Sequence, residues 1–150
     1  MRYRRLMFNA FTMLPGVAAL PPIRARLASR DCGTGGTNSA RYCYSIWLRH
    51  LVMAARHGLP TDAKAVTELG PGDSIGVGLA ALLCGAECYT ALDVVRHANV
   101  EGNLRVFDEL VARFSRREDI PGDGELPSAQ PRLQSYRFPA EVLDARRMAR

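Results

Sequence analysis

Residues Glu68 to Gly76 read Glu-Leu-Gly-Pro-Gly-Asp-Ser-Ile-Gly directly after the run Ala65 to Thr67, and the later run Cys88 to Leu92 ends in Asp93. A strand entering a glycine-rich turn, a short apolar helix and a second strand ending in a carboxylate leave the chain few folds. Parallel strands need a crossover connection, and the right-handed one is the only topology worth considering. The pattern therefore predicts an apolar helix over Ile75 to Leu83, with Gly76 and Gly78 allowing close approach to the sheet and Gly85-Ala86 turning the chain into the second strand. An open sheet of this kind holds a ribose-bearing ligand outside its strand ends. Asp93 lies roughly 20 residues past the glycines, the offset at which a carboxylate reaches ribose hydroxyls.

The residues of the turn select among such ligands. In the dinucleotide fingerprint the third glycine would fall at Ile75. A pyrophosphate needs uncompensated backbone N–H groups at the helix start, and carboxylates at Glu68 and Asp73 would repel it. S-adenosylmethionine has no phosphate and carries a sulfonium and an ammonium, so an acidic turn favours it.

On these residues the chain resembles the class I S-adenosylmethionine-dependent methyltransferases. The first motif of that family, an acidic residue followed by spaced glycines, is matched by Glu68, Gly70 and Gly72, and the acidic end of its second strand by Asp93. The resemblance implies that Gly70 and Gly72 let the backbone approach the methionyl part, that Glu68 helps place its amino end, and that Asp93 grips the ribose. Pro71, Asp73, Ser74 and Val94 complete the expected cofactor-binding set. Ser74 stands where the family has a third glycine, with Gly76 two residues on, so it either reshapes the turn or caps the following helix.

The resemblance covers residues 60–115. The expected fold is α/β, a partial Rossmann-like parallel sheet preceded by a helical segment. Residues 1–60 form a basic helical segment and residues 61–150 a partial cofactor-binding domain that reads as the front half of a methyltransferase. Methyl transfer to an acceptor of unknown class needs donor and acceptor held in near-attack geometry rather than a side-chain nucleophile, so no catalytic residue is named.

Ser39 is placed to cap a helix running to about His57 and ended by Gly58. Cys43, Ile46, Trp47, Leu51 and Ala54 recur at helical spacing and are expected to cover the sheet, with Arg41, Ser45, Arg49 and Arg56 falling away from them. Tyr42, Tyr44 and Trp47 are read as core and rim residues rather than a cofactor lid, and His50 and His57 as non-catalytic. A further helix is expected from His97 to Arg117, with Val100, Leu104, Phe107, Val111 and Phe114 inward and Glu101–Arg105 and Glu109–Arg113 paired outside. His97 is read as a solvated residue at the helix start. Residues 118–131 read as a loop whose acids Glu118, Asp119, Asp123 and Glu125 are solvated rather than metal-binding. Gln134 to Phe138 is expected to be extended or an edge strand, and Pro139 to open a final helix carrying Val142, Leu143 and Met148.

Charge and cysteine content bound the remaining classes. The chain of 150 residues has a net charge of +5, and residues 1–60 carry nine arginines against Asp31 alone. An RNA-associated module resting on that segment with Tyr42, Tyr44 and Trp47 is one alternative, and a nucleotide-dependent oxidoreductase is the other. Cys32, Cys43, Cys84 and Cys88 show neither a C-x-x-C pair nor histidines at zinc spacing, so no metal is expected, and buried thiols in a reducing, cytoplasmic setting are. The Gly33 to Gly36 cluster lacks the lysine of a phosphate loop and reads as a flexible connection. Arg2 to Arg5 followed by Leu6 to Leu20 mimics a signal peptide, but Asn9, Thr12 and Pro15 interrupt it. With no run of 18 apolar residues, no membrane span is expected.

Overall fold

The computed structural model describes residues 36–95 and 97–143. Its elements run α1 (Ala40–Arg56), β1 (Ala65–Leu69), α2 (Gly76–Leu83), β2 (Cys88–Leu92) and α3 (Val100–Arg116), an α/β arrangement whose described residues contain a two-stranded parallel sheet. Strand register runs from Ala65 opposite Cys88 to Leu69 opposite Leu92, so the two strand ends that bracket the turn and Asp93 are level.

Helix α1 starts where the sequence places it. The Ser39 hydroxyl accepts from the Tyr42 N–H at 3.3 Å, and the helix ends at His57 before Gly58, whose φ of 67° suits a glycine. Its packing differs from expectation. Helix α1 lies against α2 and α3 rather than the sheet, and Cys43, Tyr44, Leu48 and Leu51 join Val106, Leu110 and Phe114 in one core. The Tyr44 and Phe114 rings meet edge to face at 4.8 Å. No strand residue belongs to this core, which the segment after α3 completes with Ile120 and Leu143.

Helix α2 is covered closely on both sides. A Cβ at Gly76 would lie 2.5 Å from Cys43 Sγ, and one at Gly78 would lie 2.2 Å from the Tyr89 ring, so these two glycines permit the helix to seat between α1 and β2.

Helix α3 begins at Val100, capped by Asn99, whose side-chain oxygen accepts from Gly102 N–H at 2.8 Å. The expected apolar face is rotated. Val106, Leu110 and Phe114 are buried, whereas Val100, Leu104 and Val111 are exposed, because the partner of α3 is α1 and α2 rather than a broad sheet. Arg113 reaches Glu118 at 2.5 Å in place of Glu109.

Residues 118–143 depart furthest from the sequence reading. Arg49, expected on the solvent side of α1, is fully buried, as is Ser45. The Arg49 guanidinium donates to Asp123 Oδ1 at 2.9 Å and to the carbonyls of Pro121, Ala129 and Pro131 at 2.8, 3.0 and 3.1 Å, and its carbon sits 4.9 Å from the Tyr136 ring centroid. The acids of this segment are bonded rather than simply solvated: Glu125 holds Arg41, Glu118 holds Arg113 and Arg116, and Asp119 accepts from Phe138 N–H at 2.9 Å. Residues 134–138 form no strand; Tyr136 C=O accepts from Ile120 N–H at 2.6 Å and ties this stretch to the core. Residues 139–143 form a turn, and the rest of the expected final helix lies outside the described residues.

Candidate functional site

The turn after β1 is built by conformation. The Gly70 N–H donates to Leu92 C=O at 2.8 Å, carrying the parallel ladder one residue past the strand. Gly70 and Gly72 then take φ of 73° and 77°, a region that costs a residue with a side chain about 1–2 kcal/mol. At Gly70 a Cβ would meet nothing within 4 Å, so backbone conformation and not crowding selects glycine there. Asp93 lies across from the turn: its Oδ2 accepts a long bond, 3.4 Å, from Gly72 N–H, and its Oδ1 accepts from Val94 N–H at 2.7 Å. The carboxylate is thus oriented by backbone amides while the residue itself remains exposed.

Between turn and carboxylate is a cleft of about 310 Å³, lined by Pro71, Gly72, Ile75, Ala91, Asp93, Val95, His97, Ala98 and Asn103. It sits at the carboxyl ends of the parallel strands, where open α/β sheets place their ligands. Its wall is mixed, with Ile75, Ala91, Val95 and Ala98 apolar and Asp93, His97 and Asn103 polar.

The approach to α2 also borders this cleft, and the amides of Ser74, Ile75 and Gly76 are already occupied. Ser74 N–H donates to Thr37 Oγ1 at 3.3 Å, Ile75 N–H to Asn103 Oδ1 at 3.1 Å, and Gly76 N–H to Ser74 Oγ at 3.0 Å. A bare helix start attracts phosphate because those donors point outward unpaired. Here the protein's own oxygens take them.

The expected site residues divide into two groups. Pro71, Gly72 and Asp93 line the cleft together, with Gly70 in the turn above them. Val94 donates its N–H to Asp93, and its neighbour Val95 supplies the wall. Asp73 is half-buried in the turn. Ser74 is buried and is not the N-cap of α2, a position held by Ile75 with no side-chain cap; its hydroxyl accepts from Gly76 N–H and bonds Thr37 C=O, so it serves the turn's shape. Glu68 faces the helical side, where its Oε2 accepts from the Tyr89 hydroxyl at 2.6 Å. Burial pushes its carboxyl above the ordinary value, against the opposing pull of that hydrogen bond and of nearby His50.

Other candidates are placed as follows. Tyr44 is buried, donating its hydroxyl to Glu118 C=O at 2.5 Å, and Trp47 is half-buried with its indole N–H unpartnered among the described residues, so Tyr42, Tyr44 and Trp47 do not form an open stacking platform. His50 Nδ1 lies 2.8 Å from Ile46 C=O and must carry the proton, and His57 is the exposed C-cap of α1. Cys43 and Cys84 are buried, with burial pushing the Cys43 thiol up to about 12, whereas Cys88 is exposed on the sheet and Cys32 lies outside the described residues. Gly33 to Gly35 and most of the basic N-terminal segment lie outside them too. Among the described residues no cluster suits a metal ion, and no helix is long and apolar enough to cross a membrane.

Sequence reasoning missed Asn103 and Arg49. Asn103 lies four residues past the capping Asn99, on the same side of the helix start, and that spacing was its only signal. Arg49 carried none, because an arginine at helical spacing reads as surface. Compared with known proteins, the chain matches no family model, no curated protein and no solved structure.

Proposed function

We propose that the strand-end cleft binds the nucleoside part of S-adenosylmethionine and that this chain is the cofactor-binding portion of a methyltransferase. The observation that carries the reading is the left-handed Gly70 and Gly72 turn facing the amide-oriented Asp93 across a cleft of about 310 Å³. That volume is near the lower end of small-molecule pockets, roughly 300–1,000 Å³, and suits a nucleoside better than a dinucleotide.

The residues fit the cofactor in kind. Asp93 keeps acceptor capacity beyond its amide bonds and takes the ribose hydroxyls. Ile75, Val95 and Ala98 offer the base apolar surface. Gly72 lets the backbone come close, and Gly70 leaves open space above the turn for the methionyl chain. When bound, the cofactor supplies a sulfonium methyl group to an acceptor nucleophile. The occupied amides of Ser74, Ile75 and Gly76 argue against a pyrophosphate ligand, and therefore against the nicotinamide alternative.

Isothermal titration of the purified chain with S-adenosylhomocysteine tests this. Saturable binding is expected, weakened about tenfold or more by Asp93→Ala, since hydrogen bonds to a charged group contribute about 1.5–3 kcal/mol. Asp93→Asn, which retains an acceptor for the turn, separates loss of charge from loss of shape. A folded chain that gives no heat, or a nicotinamide fluorescence shift on mixing, would overturn the reading.

A further inference from the structure

Asn103 is the one carboxamide in the wall of the cleft, and its orientation is fixed. Ile75 N–H is a donor only, so the atom 3.1 Å away must be the Asn103 oxygen. The other end of the carboxamide is then an NH₂ group with two hydrogens to place. Among the described residues it has no partner, and the residue is half-buried at the cleft. The wall of the cleft thus carries a donor in Asn103 and an acceptor in Asp93 together with the apolar Ile75, Val95 and Ala98.

A nucleoside offers the complementary pattern. Ribose hydroxyls donate to a carboxylate, and a purine ring presents nitrogen acceptors at its edge with apolar faces above and below. We infer that Asn103 donates its side-chain N–H to a ring nitrogen of the adenine base and so selects the base, while Asp93 holds the sugar. The inference rests on the methyltransferase reading of the same cleft. Asn103 also fixes the spacing of the site, since its oxygen ties the start of α2 to the first turn of α3. A single carboxamide therefore connects the glycine turn to the wall against which the base lies.

The test compares S-adenosylhomocysteine with its 1-deaza, 3-deaza and 7-deaza analogues, each lacking one ring-nitrogen acceptor, on the wild-type chain and on Asn103→Asp. The substitution keeps an oxygen for Ile75 N–H and places a carboxylate near the N-terminus of α3, where the helix tolerates it, so folding is expected to survive. One analogue should bind the wild-type chain about tenfold more weakly than the parent. In Asn103→Asp the parent should itself weaken, and that analogue should bind as well as the parent. If all three analogues match the parent on the wild-type chain, or if the loss persists undiminished in Asn103→Asp, the role of Asn103 is overturned while the cofactor site stands. If the parent does not bind the folded wild-type chain, both fall together.

Discussion

Around Arg49, buried polar groups are matched one by one: a guanidinium with no exposed surface meets a carboxylate, three carbonyls and the Ser45 hydroxyl. At the sheet the opposite holds, with Leu69 and Leu92 each over 40% exposed and the outer edges of both strands unpaired among the described residues. The first region is closed and specified by side-chain chemistry; the second is open and specified by backbone conformation at Gly70 and Gly72. An isolated strand pair is marginal in water, so the sheet depends on α2 and the Tyr89 ring for its place. The open end is also where the cleft lies. A ligand there would meet the strand ends and the exposed Asp93 carboxylate, while the closed end fixes the helices that frame them.

The largest test of this contrast is Arg49→Met. It removes the donors to the carbonyls of Ala129 and Pro131, leaves Pro121 C=O with the Ser45 hydroxyl alone, and takes from Asp123 its bond to the buried guanidinium. Leaving a buried carbonyl without its donor costs about 1–3 kcal/mol, and more than one is affected, which a urea midpoint would register as a major loss. Hydrogen exchange should show residues 118–143 losing protection first. If stability is unchanged, the closed region is held by its apolar contacts alone and the contrast with the sheet is false.

A smaller effect is expected at the junction of the two regions. In Gly78→Ala the new Cβ would fall 2.2 Å from the Tyr89 ring, so either the ring leaves or α2 shifts. Overpacking of this kind costs about 1–3 kcal/mol. Displacing Tyr89 also breaks its 2.6 Å bond to Glu68 and loosens the strand pair beside the cleft. Loss of β1–β2 amide protection with residues 118–143 unaffected would sharpen the comparison; equal loss in both would show that they unfold as one unit.

What the sequence made legible follows the same division. Both strands, the crossover helix and the caps at Ser39 and Gly58 were readable, since each depends on local pattern: strand runs, glycine at a turn, a hydroxyl before a helix. The Asp93 carboxylate was placed opposite the glycines by spacing alone. The burial of Arg49 was not readable, because it depends on carbonyls more than 70 residues away that converge only after folding. The rotated face of α3 failed for a related reason. Val100, Leu104, Val111 and the buried set Val106, Leu110, Phe114 are both helical stripes, and periodicity cannot choose between them without knowing which neighbour is present. Asn103 was hidden because its bond to the amide of a turn 28 residues away leaves no trace in its own helix beyond the spacing from Asn99.

The smallest effect is also the most discriminating, because acid should move the two regions in opposite directions. Burial raises the folded-state pKa of Glu68 above its ordinary 4.5, so its contribution is fully present below that value and is lost as pH rises through the folded value. In the closed region Arg41 lowers Glu125, the Tyr136 hydroxyl and then Arg49 lower Asp123, and Glu118 is held down by Arg116 and Arg113 against its own desolvation. Those groups contribute above their unfolded values, 4.5 for the glutamates and 3.8 for the aspartate, and lose that contribution as pH falls through their lower folded values. Native-state exchange, corrected for intrinsic rates and followed from about pH 6 down to about pH 2.5, should therefore show protection around β1 and β2 holding or rising through the first part of the acidification while that of residues 118–131 declines once the pH is below the unfolded values. Glu68→Gln keeps an oxygen for the Tyr89 hydroxyl and removes the titration, so it should flatten the sheet's response and leave the other region's decline intact. A parallel fall in both regions, unaltered by Glu68→Gln, would mean that the electrostatics of the arginine-held segment govern the whole chain and that the sheet has no acid response of its own.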